Sequence, residues 1–323
     1  MPQVMIIDTD TASDDAVALI MALRASDVVV EAITVVAGNV DLPQASRNAR
    51  YTVELCGASV PVFEGAARPL LREPHPAQFF HGQDGLGDRG YPPPRTAPAP
   101  GHAVHVLVDT IRAHSGITLV TLGPLTNVAL ALLEAPEIAK LVGRCVVMGG
   151  TACTVGNVTP AAEYNIWCDP EAARICFRSG LPIEMVGWEL CRGPACLDAN
   201  DIATVRALDT PRAHFAIDCN LTALEANRRL FAQDGIGLPD PVAMAVALDP
   251  SVVTRRSRHA VDVEGEGTLT RGMTVVDALD VVQRGFANLT GWPAETAGRQ
   301  PHVTICWELD VARFKQMLFE ALR

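Results

Sequence analysis

Short runs of valine and isoleucine, apolar on both faces, recur along this chain, and a stretch with helical spacing follows most of them. A strand that is apolar on both faces has no side to turn to water, so it belongs inside a sheet covered by helices above and below. Alternation of such strands with helices specifies a doubly wound α/β fold with a mostly parallel sheet and a Rossmann-like core. The runs Val4–Ile7, Val29–Val36, Val60–Phe63, Ile117–Thr121, Cys145–Met148 and Ile183–Val186 are the expected strands. Helices are expected near Asp14–Arg24, Pro43–Cys56, Ala103–His114, Leu125–Glu134 and Pro170–Ser179. Beyond them the spacing predicts additional C-terminal helices near 198–206, 211–230 and 240–248 and a β-rich stretch over 252–276. A strand Val303–Trp307 and a helix from Asp310 close the chain. No repeat, low-complexity tract or linker interrupts the sequence, so one domain over residues 1–323 is expected.

In such sheets ligands bind outside the carboxyl ends of the strands. Here those ends are polar or tight: Asp8-Thr-Asp10, Gly38-Asn39, Leu122-Gly-Pro124, Met148-Gly-Gly150 and Gly187-Trp-Glu189. Two long loops leave the same edge, Gly65–Gly101 with His81, and Thr151–Asp169 with Asn157, Glu163 and Asn165. Loops of that length inside a compact domain are usually lids or binding loops.

The densest chemistry lies at the first strand end. Asp8, Asp10, Asp14 and Asp15 run from the strand into a helix start, with Ser13 the expected N-cap and the last two aspartates in the first turn, where the helix dipole favours negative charge. Carboxylates a few ångströms apart repel by several kcal/mol at an intermediate dielectric, so a converging set needs protons or a cation. An all-oxygen cluster suits Ca²⁺ or Mg²⁺.

Composition narrows the partners. A net charge of −11 and a pI near 5.2 argue against nucleic acid and against an anionic membrane surface. The apolar run Ala16–Leu23 is too short to span a bilayer, and the N-terminus has no basic leader, so a cytoplasmic location is expected. Nine scattered cysteines without a Cys-x-x-Cys spacing read as reduced thiols rather than a zinc site. Lys140 and Lys315 are the only lysines. That shortage bears on one alternative, a magnesium-dependent phosphatase of the haloacid dehalogenase kind. Such enzymes also begin with a strand and Asp-x-Asp, but they use a lysine before a later acidic pair. Lys140 has no such pair after it.

An ordered set of motifs runs along the chain: Asp8-Thr-Asp10-x-x-x-Asp14-Asp15, Val36-Ala-Gly-Asn39, Arg47-Asn-Ala49, His81-Gly-x-Asp-Gly-Leu-Gly87 and Leu122-Gly-Pro-Leu-Thr-Asn127. Val147-Met-Gly-Gly150, Ala162-Glu-Tyr-Asn165, Asp169-Pro-Glu-Ala-Ala173, Asp240-Pro241 and Leu269-Thr-Arg-Gly-Met-Thr-Val275 follow in order. Together they resemble the inosine–uridine-preferring nucleoside hydrolases. The resemblance implies a Ca²⁺ held by Asp10, Asp15, the Leu122 carbonyl and Asp240, with Asp10 also the general base. It assigns Asp14, Asn39, Asn157, Glu163 and Asn165 to the ribose and Met148 to its underside. Asp240 also reads as an ordinary N-cap before Pro241, a role compatible with a ligand's. The implied reaction is hydrolysis of the N-glycosidic bond of purine or pyrimidine ribonucleosides through an oxocarbenium-like transition state, with inversion. By the same resemblance a homodimer or homotetramer and a role in nucleoside salvage are expected.

One position departs from the pattern. Many members carry a histidine just before the last calcium aspartate to protonate the leaving base, and this chain has Pro239 there. Proline has no proton to give. His81, Trp188, Tyr91 and Arg228 are the candidates on the base side, and a catalytically weak nucleoside- or ribose-binding protein is the alternative that Pro239 opens. Gly85-Leu-Gly-Asp-Arg-Gly90 matches a dinucleotide pattern in letters only, because no strand precedes it.

Overall fold

The first apolar run forms β1 (Gln3–Thr9), an interior strand of the sheet. Met5 and Ile7 point into one apolar layer and Ile6 into the other, all without solvent exposure. In this computed structural model, which describes residues 2–281, 284 and 301–323, β1 pairs in parallel with β2 (Val28–Val35) on one side and with β4 (Thr118–Thr121) on the other. β3 (Val62–Glu64) flanks β2; β5 (Arg144–Met148) and β6 (Ile183–Val186) continue beyond β4. β10 (Val303–Leu309) adds in parallel to β6, and β7 (Val253–His259) closes the edge antiparallel to β10. The order β3-β2-β1-β4-β5-β6-β10-β7 makes a mostly parallel, eight-stranded, doubly wound sheet. β8 (Val261–Val263) and β9 (Thr274–Val276) form a separate antiparallel pair.

Helices cover both faces. The layer with Met5 and Ile7 holds α1 (Ser13–Arg24), α2 (Leu42–Leu55), α11 (Pro239–Leu248) and the last helix, α12 (Val311–Leu322). The other holds α4 (Ala103–Ala113), α5 (Thr126–Glu134) and α7 (Pro170–Arg178). α1 is buried from Ser13 through Ala22, packed against α11, α2 and the last helix. Short helices α3 (Gln78–His81) and α6 (Tyr164–Cys168) interrupt the two long loops, and α8 (Ala199–Arg206) follows a pair of 3₁₀ turns. No helix among the described residues is long and apolar enough to cross a membrane.

Three local expectations are corrected. The stretch 211–230 is two helices, α9 (Pro211–Asp218) and α10 (Leu221–Phe231). Buried Asn220 breaks it: its Nδ2 donates to the carbonyls of Ala216 at 2.9 Å and Ser13 at 3.2 Å, tying the turn to the start of α1. Ser13 is not the N-cap of α1. Ala12 holds that position, and the Asp15 carboxylate reaches back to the Ala12 amide at 2.9 Å. Nor is Asp240 an N-cap; Leu238 is, Pro239 occupies the first helical position, and Asp240 lies in the first turn.

Candidate active site and metal centre

The sheet order reverses between β1 and β4, the switch point at which parallel sheets open a crevice. Asp10 follows the end of β1 and Leu122 the end of β4, so both lie at that opening. Asp8 is paired across to Thr34 and Thr121 within the sheet. Its Oδ1 accepts from Thr34 at 2.6 Å and from Asn127 at 2.8 Å, and burial pushes its carboxyl up to about 7.

Asp14, Asp15 and Asp240 bring carboxylate oxygens within 4.8 Å of one another. All three are buried. α1 carries the first two and α11 the third, so the packing of these helices assembles the trio. Asp15 is oriented by Thr9 at 2.6 Å and by the Ala12 amide. Asp10 stands beside this trio, with the Asn39 amide holding its Oδ2 at 2.6 Å and its Oδ1 facing Gly123 without a hydrogen-bond partner. Asp14 Oδ1 is likewise unpartnered. Burial, and then the negative charges of the neighbouring aspartates, hold Asp10 and Asp240 well above the usual carboxylate range; burial alone takes Asp14 to about 6. Buried, mutually repelling oxygens with unfilled lone pairs match the donor chemistry of a hard divalent cation.

Above this floor lies a cavity of about 380 Å³, within the range of small-molecule sites. Of the residues expected around the sugar, Asp14, Asn39, Met148, Asn157, Glu163 and Asn165 all line it. So do Leu122 and Asp240, whereas Asp10 and Asp15 lie buried and do not line it. Asn165 is locked: its Nδ2 donates to the Leu122 carbonyl at 2.8 Å and to the Met148 carbonyl at 3.2 Å. The Leu122 oxygen keeps its second lone pair for another partner. Glu163 caps α6, taking the Asn165 amide at 2.9 Å and the Gly150 amide at 2.9 Å. Burial raises its carboxyl to about 7. Asn157 accepts from the Tyr164 amide at 2.9 Å, and the Tyr164 hydroxyl donates to the Gly38 carbonyl at 2.9 Å. Thr274 of β9 anchors the base of this loop through Thr151.

The base-side candidates divide. His81 lines the cavity with its Nδ1 2.9 Å from Ser13 Oγ and 3.7 Å from Asp14, and burial drops it to about 4, leaving a neutral ring. Trp188 also lines it, 5.3 Å from Phe231 between ring centroids. The expectation for Arg228 is corrected: it does not line the cavity, being exposed and ion-paired with Asp234 at 2.7 Å. Tyr91 stacks instead against Tyr51 and Phe215, outside the cavity lining. Sequence reasoning missed Arg192, Phe80, Phe231, Asn227 and Gln233, which also line the cavity, as does Pro239 itself. Their signal was faint: Arg192 follows Trp188 by one 3₁₀ turn, and Asn227 is a buried amide on an otherwise amphipathic helix. Neither lysine serves the cavity; Lys140 is exposed and Lys315 pairs with Asp201 at 2.6 Å, so the phosphatase alternative has no lysine to work with.

Comparison with known proteins points to one family. A family model described as "Inosine-uridine preferring nucleoside hydrolase" matches residues 5–316. The pyrimidine-specific ribonucleoside hydrolase RihA of Salmonella schwarzengrund (strain CVM19633) is 38% identical over 322 residues, covering 99% of this chain and 98% of the relative. Among solved structures, a plant nucleoside hydrolase, PpNRh1, is similar with a TM-score of 0.91 and 34% identity, over 100% of this chain and 99% of that one. A purine-preferring ribonucleoside hydrolase from Gardnerella vaginalis follows at 0.88 and 31%, over 99% and 98%.

Proposed function

The chain belongs to the inosine-uridine preferring nucleoside hydrolase family, N-glycosyl hydrolases of ribonucleosides, and from that premise we propose how its residues divide the work. The observation that carries the reading is the convergence of Asp14, Asp15 and Asp240, with Asp10 beside them, under a cavity of nucleoside size. Asp10, Asp15, Asp240 and the Leu122 carbonyl would hold a Ca²⁺. When bound, such an ion lowers the pKa of a water and grips vicinal hydroxyls. Asp10 is the general base, its unpartnered Oδ1 free to take the proton of the attacking water. Asp14, Asn39, Asn157, Glu163 and Asn165 hold the ribose hydroxyls, and Met148 packs beneath the ring. As the bond from C1′ to the base breaks, the sugar becomes cationic, and the surrounding carboxylates stabilise that charge more than the neutral substrate. The relatives named above act on pyrimidine and on purine ribosides, so both kinds of base belong in the test. Calcium as the ion, a cytoplasmic location, a salvage role and a homodimer or homotetramer belong to the same proposal.

The experiment is a panel of uridine, cytidine, inosine, adenosine and 2′-deoxyuridine assayed for released sugar. We expect turnover of ribonucleosides, little of the deoxy substrate, and a loss of about 10²- to 10⁴-fold in kcat/KM for Asp10→Ala with the circular dichroism spectrum unchanged. Full activity in Asp10→Ala would remove the general-base assignment.

A further inference from the structure

We propose that Arg192 is the catalytic residue that carries the negative charge arriving on the departing base; this rests on the hydrolase reading above. Breaking the glycosidic bond separates charge, positive on the sugar and negative on the base, and the cavity is built with the matching polarity. Its described lining holds three acidic side chains, Asp14, Glu163 and Asp240, and one side chain with a fixed positive charge, Arg192. The Arg192 guanidinium carbon lies 4.3 Å over the Trp188 ring. From Trp188 the wall runs through Phe231 at 5.3 Å and Phe80 at 6.4 Å to His81 at 4.9 Å, and His81 stands beside Asp14. Rings therefore link the cation to the acidic floor, with no ion pair to Arg192 among the described residues. Its Nε–H is buried and has no hydrogen-bond partner. A buried donor left unpaired is costly, and an acceptor on a bound ligand would recover that cost.

Arginine does not give up its proton, so its contribution is charge and hydrogen bonding rather than proton transfer. Atoms and charges balance across the step. The electron pair of the C1′–N bond goes to the base nitrogen, the water oxygen bonds to C1′, and the water's proton passes to Asp10. The base leaves as an anion hydrogen-bonded to Arg192 and takes a proton from solvent, to which Asp10 returns the one it received. In a wall lined by rings such a pairing is stronger than in water. A histidine at position 239 is not needed for this route.

The test compares Arg192→Met and Arg192→Lys on uridine and inosine against p-nitrophenyl β-ribofuranoside, whose leaving group is already a stable anion. For Arg192→Met we expect kcat/KM on the nucleosides to fall by about 10²- to 10³-fold, mostly in kcat, with partial recovery in Arg192→Lys. The p-nitrophenyl riboside should be cleaved at close to the wild-type rate, which also reports an intact fold. Equal losses on both kinds of substrate would make Arg192 a merely structural cover for Trp188 and overturn the proposal, as would no loss at all. A wild type inactive on every riboside would instead remove the hydrolase reading itself.

Discussion

Asp10 shows how tightly single residues are specified in this site. Gly38 and Gly123 face it, and the space they leave is occupied by its carboxylate: a Cβ on Gly38 would stand 2.1 Å from Asp10 Oδ2, and one on Gly123 2.8 Å from Oδ1. Neither glycine has a positive φ, so close approach and not backbone conformation is the reason for glycine at both. Gly38→Ala should therefore turn Asp10 away from the Asn39 amide. We expect kcat/KM on uridine to drop by about 10²-fold or more while the far-ultraviolet circular dichroism stays unchanged, since a misplacement of about 1 Å is enough for such a loss. Wild-type kinetics in this variant would mean that Asp10 tolerates displacement and is not held for chemistry.

The elements place these residues by packing one helix start against another. α1 presents Asp14 and Asp15, α11 presents Asp240, and Pro239 serves as the first helical residue of α11. That gives the departure at position 239 a local physical reason, since the proline ring fits where the helix has no amide bond to lose. The break between α9 and α10 belongs to the same assembly, because Asn220 ties the turn to the Ser13 carbonyl at the head of α1. Asn220→Ala leaves that carbonyl and that of Ala216 without this donor in a buried setting. Urea titration should show a loss of about 1–3 kcal/mol with an unchanged slope. A midpoint equal to the wild type's would mean that the turn is held by apolar packing alone. Amphipathic spacing could not reveal the break, because α9 and α10 keep their apolar sides toward one core layer on either side of it.

On the scale of the whole molecule, the acidic floor is a liability to the fold unless something neutralises it. Buried carboxylates that repel one another hold their protons tightly or share a cation, and a ligand that binds only the folded state stabilises it by mass action. Dialysis against a chelator at neutral pH should lower the thermal midpoint by several degrees, and Ca²⁺ add-back should restore it together with ribose release. A midpoint indifferent to both treatments would count against a cation at Asp10, Asp15 and Asp240. Much of this protein is legible in its amino-acid sequence. The alternation of two-sided apolar strands with helices determined the doubly wound sheet, and the run Asp8–Asp15 at a strand end located the floor of the site. Both signals are local, since the periodicity of a strand or helix is written within a few neighbouring residues. Tertiary structure alone decided which side chains meet. It brought Asp240 to Asp14 and Asp15, locked Asn165 onto the Leu122 carbonyl, turned Arg228 out to Asp234, and laid Arg192 over Trp188. Those outcomes depend on how distant elements pack and on the rotamers that this packing selects, which no window of local sequence contains.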